Sequence, residues 1–473
     1  MRFLLLSPWK IGVSYFIESP PVGLGYLATA LRKLGQEVDI KDCIIEKWDN
    51  PRTIEYIKEY NPDIVGINLF SSALRTVKEL TVMIKQLPCP PMVILGGPHC
   101  SGVPEDVLPY FTDVDYAFQG ECEIAIGEFI EMLNRKRSKP EVTGMIWRAG
   151  EKIIINPYLQ YDKIEEFGFP AWDLIDPRKY YSQVTIGPNC INLHMSRGCP
   201  FSCRFCVKLG TKVRMRSLEH VWSEMEYLNK EFGVNRFIIN DEGYTMTPKY
   251  VKDFCRMTIS RGNKYQFFTA TGMRLNRIDD EMLQLMKEAR HDLYFGVGIE
   301  SAVPRVREGL MNKRLPQEDI MRGLEIFKRN GFKPTGNFII GFPNEKKSEM
   351  IESINFACKM IDKGYLHGAN IVPWLPLPGS EATRECQRTG EIPKDFDFTQ
   401  ISLSVVCHAP EGMTIKELDD LRQWGVWKVN SRPKLIFYYF SDWRRFKMAV
   451  VIFLRLFVPN FLLPAKWKRI KNV

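Results

Sequence analysis

Short apolar runs alternate with amphipathic stretches along the first third of the chain. RFLLL at residues 2–6 has the length and apolarity of a buried strand. A loop follows, SPWKIGVSYFIESPPVGLG, then an amphipathic helix over 26–34 that stops at Gly35. Further strands are predicted at 37–40, 64–68, 92–95 and 116–118, with helices at 52–60, 74–86 and 124–133 between them. Strands alternating with helices imply a parallel, doubly wound α/β sheet. Ligands on such sheets bind beyond the carboxyl ends of the strands. The loops there, 20–25, 70–72, 96–99 and 120–121, are rich in Gly and Ser, which let a ligand approach the backbone or simply make tight turns. No G-x-G-x-x-G or Walker sequence is present.

Periodicity weakens over 134–190. A hairpin is predicted from 142–148 and 152–156 across Ala149-Gly150, followed by an aromatic, proline-rich linker, FPAWDLIDPRKYY. The alternation then resumes. Strands are expected at 191–195, 236–240, 267–271, 294–297, 335–340 and 369–372, with helices over 218–232, 316–329 and 350–363. The boundaries expected are 1–138 for the first domain, 139–185 for the linker, 186–395 for the second domain and 396–473 for a helical C-terminal extension.

The chemistry-bearing motif follows the strand at 191–195. Cys199, Cys203 and Cys206 are spaced Cys-x-x-x-Cys-x-x-Cys, and Gly198 and Pro200 keep their segment in a loop. Three thiolates turned to one point can bind three irons of a [4Fe–4S] cluster and leave the fourth open. Zinc is the competing reading, with His194 as a conceivable fourth ligand, although paired Cys-x-x-Cys spacings are missing.

INLHMSRGCPFSCRFCVKLG resembles the cluster loop of the radical S-adenosylmethionine (SAM) superfamily. PPVGLGYLATALRKLG, NPDIVGINLFSS, VILGGPHCSGVPEDVL and DYAFQGECE together resemble the cobalamin-binding domain that precedes many of its members. The resemblance covers about residues 1–390 and implies a partial (β/α)6 barrel after the cysteines. It implies cobalamin contacts from Gly23, Phe70, Ser71, Ser72, Gly96, Gly97, His99, Gly120 and Glu121. The D-x-H-x-x-G signature of other cobalamin folds is absent, so a cobalt lower face without a protein histidine is implied. SAM contacts are implied for Phe205 against the adenine, for Asp241 and Glu242 at a strand end, for Glu300 in Gly-x-Glu-Ser, and for the stretch Ile339 to Phe342 in GNFIIGFPNE, Ile340 foremost, along the adenine. PWLPLPGS resembles the segment that closes the barrel near the substrate.

Composition changes this picture in three respects. Twelve cysteines among 473 residues are too few for a disulfide scaffold and suit free thiols or metal ligands in a reducing cytoplasm. No uninterrupted apolar run of 18 or more exists, so no ordinary transmembrane helix is expected. From Pro433 onward there are nine Lys and Arg against Asp442 alone, interleaved with ten aromatic residues, which holds most of the net charge of +9. Such a segment suits an anionic membrane surface or packs its apolar side on the barrel. Nucleic acid is not the expected partner, because Cys43, Cys89, Cys100 and Cys122 are dispersed, unlike the cysteines of tRNA-methylthiolating relatives.

The expected function is methyl transfer from cobalamin to an unactivated carbon, through a 5′-deoxyadenosyl radical made at the [4Fe–4S] cluster. The substrate expected is a small molecule, lipid-like or a tetrapyrrole, and a flavodoxin or ferredoxin is the expected electron donor. The alternatives are a radical cyclase or rearrangement enzyme with the same cofactors, and a cobalamin- or zinc-binding regulatory protein. His220, His291 and His408, and cysteines outside the motif such as Cys386, are read as structural.

Overall fold

The structure is a computed structural model and describes residues 1–9, 19–135, 141–180, 189–207, 210, 212–403 and 405–435. The first domain is built on strands β1 (Arg2–Ser7), β2 (Glu37–Asp42), β3 (Ile64–Asn68), β4 (Met92–Gly96), β5 (Tyr116–Phe118), β6 (Met145–Ala149) and β7 (Lys152–Ile155). Their order in the sheet is β2-β1-β3-β4-β5-β6-β7. The first five are parallel and the last two antiparallel. Helices α1 (Val22–Lys33), α2 (Asn50–Tyr60), α3 (Leu74–Lys85), α4 (Pro98–Gly102), α5 (Pro104–Tyr110) and α6 (Cys122–Arg135) connect them. Strand alternation sends Phe3 and Leu5 into the core shared with α1 and α6, and Leu4 and Leu6 into the core under α2 and α3. The order in which strands are added reverses between β1 and β3, where a doubly wound sheet opens a crevice.

The hairpin at 145–155 corrects the expected linker of 139–185. Ala117 pairs with Ile146 and Phe118 with Met145, so β6 and β7 extend the first sheet. Met145 and Ile146 are wholly buried, and a free hairpin would have left them in water. The stretch 98–110 also departs from expectation. A loop is expected only at 96–99, yet Pro98 and Pro104 stand in the first turns of two short helices, where the missing N–H costs nothing.

After the short α7 (Trp172–Ile175) comes the second domain: β8 (Cys190–Leu193), β9 (Ser196–Arg197), β10 (Arg214–Met215), α8 (Leu218–Phe232), β11 (Arg236–Ile239), α9 (Pro248–Ser260), β12 (Gln266–Thr269), α10 (Asp280–Glu288), β13 (Tyr294–Glu300), α11 (Gln317–Arg329), β14 (Lys333–Ile340), α12 (Lys347–Asp362) and β15 (Gly368–Pro373). The main strands form two parallel sheets, β12-β11-β8 and β13-β14-β15, which meet through single bridges, Phe267 to His291 and Met273 to Val297. That is the expected six-stranded partial barrel. Two helices follow, α13 (Glu381–Thr389) and α14 (Ile415–Asn430).

The segment between the sheets is glued down. Trp172 is buried and donates from Nε1 to Glu224 Oε1 at 2.9 Å, and Thr29 Oγ1 donates to Phe169 O at 2.7 Å. The basic, aromatic tail lies outside the described residues from 436 onward. Among the described residues no helix is long and apolar enough to cross a membrane.

Candidate active site

Cys199, Cys203 and Cys206 lie on the loop that leaves the barrel between β9 and β10. The loop is pinned from behind. Arg204 N donates to Met311 O at 3.0 Å, Asn312 Nδ2 to Ser202 O at 2.9 Å, and Ala382 N to Arg204 O at 2.9 Å. The Arg204 side chain pairs with Glu381 and Glu385 of α13. Burial, then the neighbouring sulfurs of Cys203 and Cys199 and the Glu242 carboxylate, push the Cys206 thiol up to about 11. Cys203 is also raised by burial, with Lys313 and Arg274 acting against it. The three thiols are thus close enough to feel one another, with two cations beside them.

This arrangement fits a cluster better than a single ion. The convergence within 4.8 Å that one ion asks of three ligands is met, among the described residues, by Cys386, Glu391 and His408, and not by these three cysteines or by His194 with them. A cube bonded at three corners holds its thiolates farther apart. Lys313 and Arg274 provide the positive charge that thiolates need, and iron binding must displace the thiol protons.

The acids predicted at the barrel mouth have different surroundings. Glu300 sits at a bulge in β13 with φ 64°, 7% exposed, and receives Lys313 Nζ at 2.5 Å. The same Lys313 lies over the Phe205 ring, 5.7 Å from its centroid. Arg274 covers Phe201 at 3.5 Å and donates to Lys313 O at 2.6 Å, so Arg274 and Lys313 form one cationic wall. Glu242 is raised by burial and lies near Gly198 and Arg214. Asp241 is 1% exposed and already occupied, accepting from Met195 N at 2.7 Å and from Ser196 Oγ at 2.8 Å. Burial pushes its carboxyl up to about 6 despite those donors. It fastens β11 to the start of the cysteine loop.

Ile340 requires a correction. It is fully buried in the core under α12 and α14, whereas Ile339 packs in a separate cluster with Phe205. Side chains alternate along a strand, so only one of the two can face the barrel mouth, and it is Ile339.

At the carboxyl ends of β1, β3 and β4 lies a cavity of about 280 Å³. Gly23, Gly96, Gly97, Gly120 and Glu121 line it, as do His194 and Arg197 from the barrel. Gly97 is required here: its φ is 104°, and a Cβ would lie 2.2 Å from Asn68 Oδ1. His194 Nδ1 is buried with no partner, and burial lowers the ring to about 4, so the imidazole is neutral. A glycine floor, apolar walls and one unsatisfied nitrogen suit a flat heteroaromatic group.

Phe70, Ser71, Ser72 and His99 are not among the walls. Ser71 and Ser72 belong to a tight turn, and Ser71 Oγ lies 2.9 Å from His99 Nδ1. His99 meets the edge of Phe398, on the strap between α13 and α14.

The two domains are joined by buried charge. Arg214 grips Glu121 with two bonds, 2.7 and 2.6 Å, and Arg197 Nη2 donates to Glu123 Oε1 at 2.6 Å. Arg214 is also electrostatically coupled to Glu242, which in turn acts on Cys206. The arginines on either side of the cysteine loop, Arg197 and Arg214, are thus bonded to Glu123 and Glu121 in the cavity wall. These arginines were not foreseen from the sequence: each partner lies 74 or 93 residues away, with no local spacing to announce it.

Residues 9–130 match the B12 binding domain, and residues 193–357 match the radical SAM superfamily. A methyltransferase of Pyrococcus horikoshii, itself uncharacterised, is 30% identical over 385 residues, 80% of this chain and 81% of that protein. The chain belongs to the cobalamin-dependent radical SAM methyltransferase family. As a family member it is an enzyme whose cofactors are cobalamin, SAM and a [4Fe–4S] cluster. Cytidylyl-2-hydroxyethylphosphonate methyltransferase of Streptomyces wedmorensis is 29% identical over 422 residues, 78% of each chain. In fold, the chain is similar to the radical SAM methyltransferase TsrM from Kitasatospora setae, solved with cobalamin and a [4Fe–4S] cluster bound. The TM-score is 0.67 at 18% identity, over 82% of this chain and 75% of that one. It is also similar to the cobalamin-dependent SAM radical enzyme OxsB, with TM-score 0.72 at 15% identity, over 98% of this chain and 74% of that one.

Proposed function

We propose that this enzyme methylates an unactivated carbon of a small, largely apolar molecule at the mouth of the barrel. The observation that carries the reading is the shared wall. Glu121 lines the glycine-floored cavity and is held by Arg214, whose charge reaches the Glu242 carboxylate beside Cys206. Arg197 and Arg214, which flank the cysteine loop, pair with Glu123 and Glu121 in the cavity wall, and this supports a corrinoid site beside the cluster loop.

When bound, the cluster with SAM supplies a 5′-deoxyadenosyl radical and cobalamin supplies the methyl group. Cys199, Cys203 and Cys206 would hold the cluster. Glu300 is the best-placed acceptor for the ammonium or ribose of SAM, and Lys313 orients it. Phe205 and Ile339 offer the adenine an apolar surface. Gly96, Gly97 and Gly120 would admit the nucleotide tail of cobalamin, and neutral His194 with its unsatisfied nitrogen offers that tail a hydrogen bond. A cavity of about 280 Å³ would have room for part of that tail.

The preference for an apolar substrate rests on the basic, aromatic tail, which suits delivery from an anionic membrane surface. A flavodoxin or ferredoxin would supply the electron. The test uses anaerobic, cluster-loaded protein with cobalamin and the metabolites that lose or gain 14 Da when the gene is deleted or restored. Methylation predicts 5′-deoxyadenosine and S-adenosylhomocysteine together, both abolished in Cys203→Ala. Deoxyadenosine without S-adenosylhomocysteine would show rearrangement or cyclisation instead. Flotation on anionic vesicles, compared with a variant ending at Ser431, tests the tail, and equal flotation would discard the membrane role.

A further inference from the structure

We propose that Cys386, Glu391 and His408 form a second metal site, for one zinc-class divalent cation, distinct from the cysteine loop. Their ligand atoms all lie within 4.8 Å of one another. Cys386 is near the end of α13, and Gly390, with φ 85°, turns the chain so that Glu391 faces back toward it. His408 arrives from the far end of the strap that runs from α13 to α14.

Two of the three ligand-to-ligand edges match a coordination shell. Glu391 Oε2 lies 3.7 Å from Cys386 Sγ and 3.6 Å from His408 Nε2. A tetrahedral zinc with bonds of about 2.0–2.3 Å has ligand-to-ligand edges of about 3.3–3.8 Å. The carboxylate-to-imidazole separation is too long for a good hydrogen bond. His408 is only 7% exposed, its Nε2 reaches Glu391 only at 3.6 Å, and the ring sits edge-on to Trp374 at 5.0 Å. A buried imidazole left this poorly bonded is costly unless something else engages it.

The donor set names the ion. A thiolate, an imidazole and a carboxylate suit zinc and exclude calcium and magnesium, which demand oxygen shells. Cys386 would release its proton to solvent as the metal–sulfur bond forms. Thr389 Oγ1 donates to the other oxygen of Glu391 at 3.1 Å, so the carboxylate is already oriented. The Glu391 side chain is 40% exposed, which leaves an entry path and room for water as a fourth ligand.

The position gives the site a role. α13 carries Glu381 and Glu385, the partners of Arg204 on the cysteine loop. Between Glu391 and His408 the strap carries Asp397, paired with Arg75, and Phe398, against His99. An ion here would fasten the helix behind the cysteine loop to the strap that reaches the cobalamin domain. This inference does not depend on the proposed methylation chemistry.

The experiment loads full-length, cluster-containing protein with zinc, removes loose metal with a chelator, and measures zinc and iron together, with X-ray absorption at the zinc edge. About one zinc per chain is expected, with one sulfur and otherwise nitrogen or oxygen neighbours. Cys386→Ser and His408→Gln should weaken zinc binding by about 100-fold or more, since even an outer-shell partner is worth about 10–100-fold. Glu391→Gln alters a half-exposed side chain and keeps the assay decisive if the buried variants fail to fold. Cys199→Ala should lose iron and keep zinc. The proposal is overturned if no zinc survives the chelator, if the variants bind it as tightly as the wild type, or if zinc disappears with iron in Cys199→Ala.

Discussion

Removing Glu121 should loosen the two domains from each other by an amount the structure bounds. The Arg214 side chain is 3% exposed and that of Glu121 is 16% exposed, with two short bonds between them. Breaking such a pair from one side costs about 3–5 kcal/mol, because a buried charge is left uncompensated. Glu121→Met is the severe case, since among the described residues Arg214 then keeps Tyr161 O at 3.0 Å as its direct partner. Arg214→Met should sit at the lower end, because Glu121 still has Arg197 at 3.8 Å. Unfolding entropy near the midpoint is about 2.1 cal/mol/K per residue. If the first domain of about 155 residues melts alone, 3–5 kcal/mol lowers its midpoint by roughly 9–15 °C; if all 473 residues melt together, by roughly 3–5 °C. Calorimetry of the cofactor-free full chain distinguishes these cases. The double variant Arg214→Met/Glu121→Met should be more stable than Glu121→Met, because two apolar groups leave no orphaned charge. A change below about 1 °C in Glu121→Met, or a double variant that merely adds the two single losses, would refute the reasoning. Neutralising an exposed pair such as Arg2–Glu37 should leave the midpoint where it was.

Three other outcomes follow from the geometry. Gly97→Ala should cost roughly 1–3 kcal/mol, because φ 104° with ψ −172° is backbone that essentially only glycine adopts, and should lower the cobalamin retained per chain, while Gly368→Ala at the start of β15, whose Cβ would meet nothing within 4 Å, should retain it; spectroscopic cobalamin content after gel filtration decides. Ile340→Ala should cost about 2–5 kcal/mol of stability with the KM for SAM unmoved, whereas Ile339→Ala should raise that KM, read from 5′-deoxyadenosine formation; the reverse pattern would restore Ile340 to the site. Burial pushes the Glu345 carboxyl up to about 8 although Gly341 N and Phe342 N donate to it. The folded protein therefore keeps a proton that the unfolded chain loses near pH 4.5, and the stability it confers is full below that value and lost as pH rises through about 8. Glu345→Gln should thus melt like the wild type at pH 4.5 and higher than it at pH 9, and a gap independent of pH would exclude a buried, titrating Glu345.

The sequence by itself determined whatever depends on neighbours a few residues apart. Runs such as RFLLL, the helix stop at Gly233 and the spacing of Cys199, Cys203 and Cys206 are local, so the alternation of strands and helices, the two domains and the cluster loop were all legible. A period of two also marks Ile339 and Ile340 as facing opposite ways. Which of them faces the mouth depends on the sheet's curvature and on α12 and α14 covering one side, and only the folded chain settles that. The hairpin at 145–155 joined the first sheet because β5 offered an open edge, a fact about packing that no window of sequence contains. Tertiary structure likewise decided the charges. Arg197 and Arg214 find acids across the domain boundary, Asp241 turns its oxygens onto Met195 and Ser196, and Cys386, Glu391 and His408 gather from two separate segments. The physical reason is common to all of these. Secondary structure is selected by short-range pattern, whereas a buried charge or a ligand atom is paid for by partners that only chain folding brings within a few ångströms.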